Sequence, residues 1–157
     1  MPHRTSRVLA TGAACLTLLL SGAGVASAGV PSAGTGAGTA CSGTVRITAF
    51  AFQPPEAAPG GSSTATLTAK NCTATSQTVS ETWYGRFSGP TTGIPTGCPV
   101  LDPFLRPVTL APHAKATTST GYNVPTGCTA TQLAVTVSIT NATGTVLAQQ
   151  TADLLID

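Results

Sequence analysis

Leu133, Val135, Val137 and Ile139 alternate with Ala134, Thr136, Ser138 and Thr140. A period of two, rich in β-branched residues, predicts a half-buried strand. The link Asn141-Ala142-Thr143-Gly144 reads as a tight turn, and an apolar-rich run over 146–156 returns from it. The chain therefore closes on a β-hairpin whose apolar face needs a second sheet to cover it.

The same pattern recurs upstream. Residues 44–52 form a first strand in which Val45 and Ile47 share one parity and Phe50 and Phe52 the other. A bulge, or a strand crossing between sheets, would switch the apolar face in this way. Residues 53–61 carry Pro54, Pro55 and Pro59, which lack ladder donors, and read as a loop. In 62–70, Ala65, Leu67 and Ala69 point inward and Thr64, Thr66 and Thr68 outward. Residues 79–87 place Val79, Trp83 and Phe87 on one face, as expected of a central strand whose tryptophan fills the core. Glu81 falls on that same face, which implies either an edge position or a change of register. After the irregular loop 88–97, residues 102–110 hold a short edge strand and 115–124 a polar one. About seven antiparallel strands, Gly/Pro-rich loops and no helical periodicity predict an all-β, immunoglobulin-like two-sheet β-sandwich.

Composition changes the domain boundaries. Arg4 and Arg7, the apolar run 8–20 and the small residues Val25-Ala26-Ser27-Ala28 form a secretory signal over 1–28. Its apolar core is about 13 residues, short of the roughly 20 that a spanning helix needs. Cys15 lies inside that run with Gly12 three before it, which argues against lipoprotein processing. Residues 29–40, rich in Gly, Ala and Thr, read as a flexible linker, leaving 41–157 as one sandwich domain. The expected location is extracellular, with no membrane span once the signal is removed.

Charge narrows the partners. The whole chain carries a formal +2, and Arg4 and Arg7 supply it. Arg46, Lys70, Arg86, Arg106 and Lys115 balance Glu56, Glu81, Asp102, Asp153 and Asp157. A balanced, scattered set offers no basic patch for nucleic acid and no charge-driven membrane attachment.

Beyond Cys15, the cysteines are Cys41, Cys72, Cys98 and Cys128. An even number in a short secreted domain implies two disulfides. Cys41 and Cys72 are almost equidistant from a turn centred on residue 57. Cys98 and Cys128 are almost equidistant from one centred on 112–113. Antiparallel hairpins would therefore pair Cys41 with Cys72 and Cys98 with Cys128, each bridge closing a loop worth about 3 kcal/mol. An inter-sheet bridge such as Cys72–Cys128 beside Trp83 is the alternative. The tetrad Pro-Thr-Gly-Cys at 95–98 and 125–128 reads as repeated turn chemistry.

Catalytic constellations are missing from the sequence. His113 is the one histidine after the signal and sits in a turn. There is no nucleophile elbow, HExxH, GxGxxG, P-loop or CxxC. Glu56, Glu81 and Asp102 are too scattered to form a glycosidase pair. The expectation is a non-enzymatic domain with no metal and no cofactor. Tyr84 and Arg86 share the outward face of the tryptophan strand and are the candidate binding residues.

Residues 56–61, the Thr-rich strand that follows to Asn71, and 79–87 resemble the small adhesion-type immunoglobulin-like modules of bacterial exported proteins. In those modules a Pro-Gly link precedes a Thr/Val-rich strand and an Asn turn follows. Here that turn is Asn71-Cys72-Thr73, which departs from the usual Asn-Thr-Gly. The Ala/Thr/Gly-heavy signal and linker look actinobacterial. The resemblance implies a secreted domain binding a protein or cell-envelope component, with a cell-wall polysaccharide among the partners. Its alternatives are a carbohydrate-binding module and a small protease or hydrolase inhibitor presenting the 88–97 loop. Asn71-Cys72-Thr73 and Asn141-Ala142-Thr143 also match the N-glycosylation pattern.

Overall fold

The computed structural model describes residues 41–90 and 92–157. The secretory signal expected over 1–28 and the linker expected over 29–40 lie outside the described residues. Eight strands follow in order: β1 (Val45–Gln53), β2 (Glu56–Ala57), β3 (Ser62–Asn71), β4 (Gln77–Ser88), β5 (Phe104–Leu110), β6 (Lys115–Asn123), β7 (Gln132–Thr140) and β8 (Val146–Ile156). They form two sheets, β1-β3-β6 and β2-β8-β7-β4-β5. This is a β-sandwich with immunoglobulin-like connections: the chain crosses to the larger sheet for the short β2 and returns for β3, then changes sheet between β3 and β4, between β5 and β6, and again between β6 and β7.

Alternation in the sequence becomes burial in the structure. On β7 the four inward residues Leu133, Val135, Val137 and Ile139 have no exposed surface, and β3 contributes Ala65, Leu67 and Ala69 from the facing sheet. Trp83 is 1% exposed and meets Phe50 of the other sheet edge-on, with ring centroids 5.6 Å apart. The parity switch in β1 is a bulge. Ile47 pairs with Ala69 but Ala49 pairs with Thr68, so Thr48 has no partner in the ladder. That single extra residue turns Phe50 and Phe52 into the core after Val45 has already entered it.

Three expectations need correction. The 53–61 stretch is not wholly loop: Glu56 and Ala57 pair in parallel with Leu155 and Ile156, adding an eighth strand and one parallel contact. Glu81 is neither at an edge nor at a register change. It is 2% exposed on β4, which lies between β7 and β5. Its Oε2 accepts hydrogen bonds from Trp83 Nε1 at 3.0 Å and Thr118 Oγ1 at 2.8 Å, and these bonds are what make a buried carboxylate tolerable. Finally, residues 104–123 do not form a hairpin, because β5 pairs with β4 and β6 with β3.

The disulfides are nonetheless Cys41–Cys72 and Cys98–Cys128, with Cα atoms 5.5 and 4.4 Å apart. Equidistance from 112–113 gave the right pair because β5 and β6 still run back past each other, one at the edge of each sheet. Arg106 of β5 shows this: its guanidinium donates to Ser119 O of β6 across the seam at 3.3 Å.

Candidate binding face

Strand alternation on β4 puts Trp83 and Phe87 inside and Tyr84 and Arg86 outside, as the sequence implied. Tyr84 is 45% exposed and is the one aromatic among the exposed large apolar residues described. Its neighbours across the ladder are small: Tyr84 faces Thr136 and Arg86 faces Ala134.

β5 covers the β4 edge only as far as the Trp83–Phe104 pair. Beyond it, segment 92–103 runs without regular structure along the rest of that edge. Gly85 receives it. A Cβ there would lie 2.6 Å from Leu101 Cδ1, so the missing side chain is the space that Leu101 occupies. Cys98–Cys128 fixes the same segment from the other side, and Thr129 N donates to Thr96 O at 3.0 Å. The two Pro-Thr-Gly-Cys tetrads therefore lie against each other as paired turns. Gly97 has φ +71°, and a Cβ on it would come within 2.1 Å of Gly127 O; only glycine fits both the conformation and the approach.

This anchoring holds apolar side chains in water. Ile94 is 73% exposed and Val100 is 75% exposed. With Tyr84, Arg86, Pro99 and Leu101 they line a groove of about 220 Å³. Sequence reasoning found Tyr84 and Arg86 and missed Ile94, Val100 and Leu101. A usable signal was present: apolar residues on both sides of a cysteine, in a Pro/Gly stretch with no strand parity to bury them.

A second cleft, about 450 Å³, opens on the other side of 99–101 at the seam between the sheets. Trp83 and Phe104 stack nearby, 6.0 Å apart and 9° from parallel, and Arg106 lies over both rings at 5.6 and 5.7 Å. Tyr122, on the facing strand, is buried. Desolvation pushes its phenol up to about 12, and the Arg106 charge offsets part of that rise.

The remaining polar residues make no reactive cluster. His113 is exposed in the β5–β6 turn, in the left-handed region at φ 55°. Glu56 and Asp102 are exposed and Glu81 is buried, so the three carboxylates have no common site. Among the described residues, no group of three or more His, Cys, Asp or Glu side chains is arranged to hold a metal ion. No described helix is long and apolar enough to cross a membrane.

No protein-family model matches the chain, and no curated protein matches it. Solved structures share its fold. It is similar to an alkylpurine DNA glycosylase, AlkC, from Pseudomonas fluorescens, with a TM-score of 0.53 and 12% identity over 74% of this chain. It is also similar to the sporulation control protein Spo0M of Bacillus subtilis, with a TM-score of 0.51 and 12% identity over 74% of this chain. The match spans 31% of the first protein and 50% of the second. At such identities the likeness establishes the β-sandwich and nothing of activity. Two disulfides in one small sandwich are typical of proteins from an oxidising, extracellular setting.

Proposed function

We propose that this chain is a secreted, non-enzymatic binding module that engages an extracellular protein through the face around Tyr84. The observation that carries the reading is the apolar group Tyr84, Ile94 and Val100, held in solvent beside Arg86 by the Cys98–Cys128 bridge. Exposed apolar residues gathered on one rigid patch mark interaction surfaces, and Tyr and Arg are enriched among residues that dominate protein interfaces. Pre-anchoring by the disulfide lowers the ordering cost on binding. The secretory signal read from the sequence and the two bridges support export. A sugar-binding platform would want several coplanar exposed aromatics, and among the described residues Tyr84 stands alone.

The test is retention on the immobilised, oxidised protein. Culture supernatant of the producing organism, its purified cell wall and insoluble polysaccharides would be compared. Saturable capture of a supernatant protein, lost with Tyr84→Ala and with Val100→Ser but kept with Thr136→Ala, is the expected result. Retention of polysaccharide instead would replace the protein partner with a carbohydrate one. Capture indifferent to Tyr84 and Val100 would refute this face.

A further inference from the structure

We propose that the outer face of the three-stranded sheet is a second binding surface, separate from the Tyr84 face, and that it takes an acidic polysaccharide. Arg46 of β1 stands directly opposite Lys70 of β3, and Lys70 stands directly opposite Lys115 of β6. Val45, Ala69 and Asn71, their neighbours along the chain, are buried, so strand alternation turns Arg46 and Lys70 outward, and Lys115 shares the face of the residue it pairs with. Cations scattered along the sequence thus become one row of positive charge across the sheet. No acid offsets it. β1, β3 and β6 contain no Asp or Glu, and neither do the segments 41–44, 72–76 and 111–114 at that end. Glu81 is buried between the sheets and already bonded to Trp83 and Thr118. Like charges directly opposite one another destabilise a sheet. Packing therefore gives no reason for the row, whereas an anionic partner does.

The rest of the face distinguishes among anions. Beside the row lie Thr64, Thr66 and Thr68 of β3, flanked by Ala49, Ala51 and Ser119. These short side chains make a low, hydroxyl-bearing surface along which a sugar chain can lie and hydrogen-bond. The aromatic residues of this sheet, Phe50, Phe52 and Tyr122, are buried, which leaves no ring to stack on a nucleic-acid base. None of the exposed large apolar residues described belongs to β1, β3 or β6, which leaves nothing to enter a bilayer. For an acidic chain, the charge row supplies the attraction that an aromatic platform supplies for a neutral one.

Full-length oxidised protein would be titrated over immobilised polygalacturonate, its neutral methyl ester, polyphosphate, double-stranded DNA and phosphatidylglycerol vesicles. Saturable binding to polygalacturonate, tighter than to any of the others, is the expected result. It should weaken as salt rises from about 20 to about 200 mM, because the Debye length shortens. Lys70→Thr should lower the affinity about threefold, and Lys70→Thr with Lys115→Thr about tenfold, the order expected of one and two exposed charge pairs. Lys70→Arg, which keeps the charge, should bind as the wild type does. Circular dichroism would confirm that the double variant is folded. Tyr84→Ala should leave polygalacturonate binding unchanged, so this surface and the Tyr84 face stand or fall separately. The proposal is overturned if polygalacturonate does not saturate, if its methyl ester binds as tightly, or if the folded double variant binds undiminished. Equal affinity for polyphosphate, DNA or the vesicles would overturn the assignment to a polysaccharide.

Discussion

Two turns in this protein are written with the same pentad, Asn-x-Thr-x-Thr: residues 71–75 and residues 141–145. Their local chemistry is the same. Asn71 Oδ1 accepts from Thr73 N at 2.9 Å and Thr73 Oγ1 at 2.8 Å. Asn141 Oδ1 accepts from Thr143 N at 3.1 Å and Thr143 Oγ1 at 2.8 Å. The fates of the two amides differ. Asn71 has no exposed surface, and its Nδ2 donates to Thr75 O, Leu110 O and Ala111 O, tying the β3–β4 turn to the end of β5. Asn141 caps a hairpin between paired strands, its oxygen also taking Thr145 N at 2.8 Å. One pentad crosses between sheets and closes an end of the core; the other merely reverses direction at the surface. Local hydrogen bonding makes the turn, and the strands that flank it decide what else the side chain must do.

The sharpest way to break this comparison is to convert both asparagines to aspartate. At position 141 the named partners are all donors to the oxygen, so Asn141→Asp should change stability by less than about 0.5 kcal/mol. At position 71 the same change removes the donor and sets a buried carboxylate against three carbonyl oxygens. Asn71→Asp should cost about 4 kcal/mol, measured by urea unfolding of the oxidised protein. The defect should also shrink with acid. Burial raises the new carboxyl's folded pKa above its unfolded value near 3.9, so the neutral, donating form returns as pH falls. Equal effects at the two sites would mean that the extra Asn71 contacts contribute nothing.

A smaller effect separates the turns at their fourth residue. Gly144 has φ +80°, whereas Ala74, its counterpart, is not among the positive-φ residues of the described chain. Gly144→Ala should cost about 1 kcal/mol through left-handed strain. Ala74→Gly should cost less than that, through added unfolded-state entropy. Thermal melting of the two variants side by side would measure both.

Much of the fold was legible because it follows from parity. Four zero-exposure residues on β7, the change of face in β1 and the inward Trp83 are all readable from alternate positions, since side-chain direction in a strand has a strict period of two; that the change is a bulge and not a crossing between sheets comes from the pairing with β3. What parity cannot convey is which strands pair. The sequence showed β5 and β6 flanking a short turn, and a hairpin was the natural inference. Only the sandwich as a whole shows that each belongs to a different sheet. Glu81 was misread for a related reason: one partner, Trp83 Nε1, lies two residues on along the same face and could have been anticipated, but the other, Thr118, lies 37 residues away on the facing sheet. Of the candidate face, Tyr84 and Arg86 were readable because they sit on a strand. Ile94, Val100 and Leu101 lie on a segment without parity, placed by a disulfide and by the absent side chain of Gly85.

The contrast between a buried polar group and an exposed one recurs in the two tyrosines, and it yields the prediction with the least effect at neutral pH. Tyr84 is solvent-facing; Tyr122 is buried against Phe52, with ring centroids 5.7 Å apart. The Tyr122 phenol is pushed from its ordinary value near 10 up to about 12 by desolvation, less the Arg106 contribution. A folded pKa above the unfolded one means that the native state holds this proton more tightly. The resulting stability is complete below pH 10 and is lost as the pH rises from 10 towards 12. Tyr122→Phe should therefore leave the midpoint of unfolding nearly unchanged at pH 7 and flatten its decline above pH 10. Tyr84→Phe should leave that decline in place. If the alkaline limb instead followed Tyr84, the seam around Tyr122 would be wetter than its packing implies.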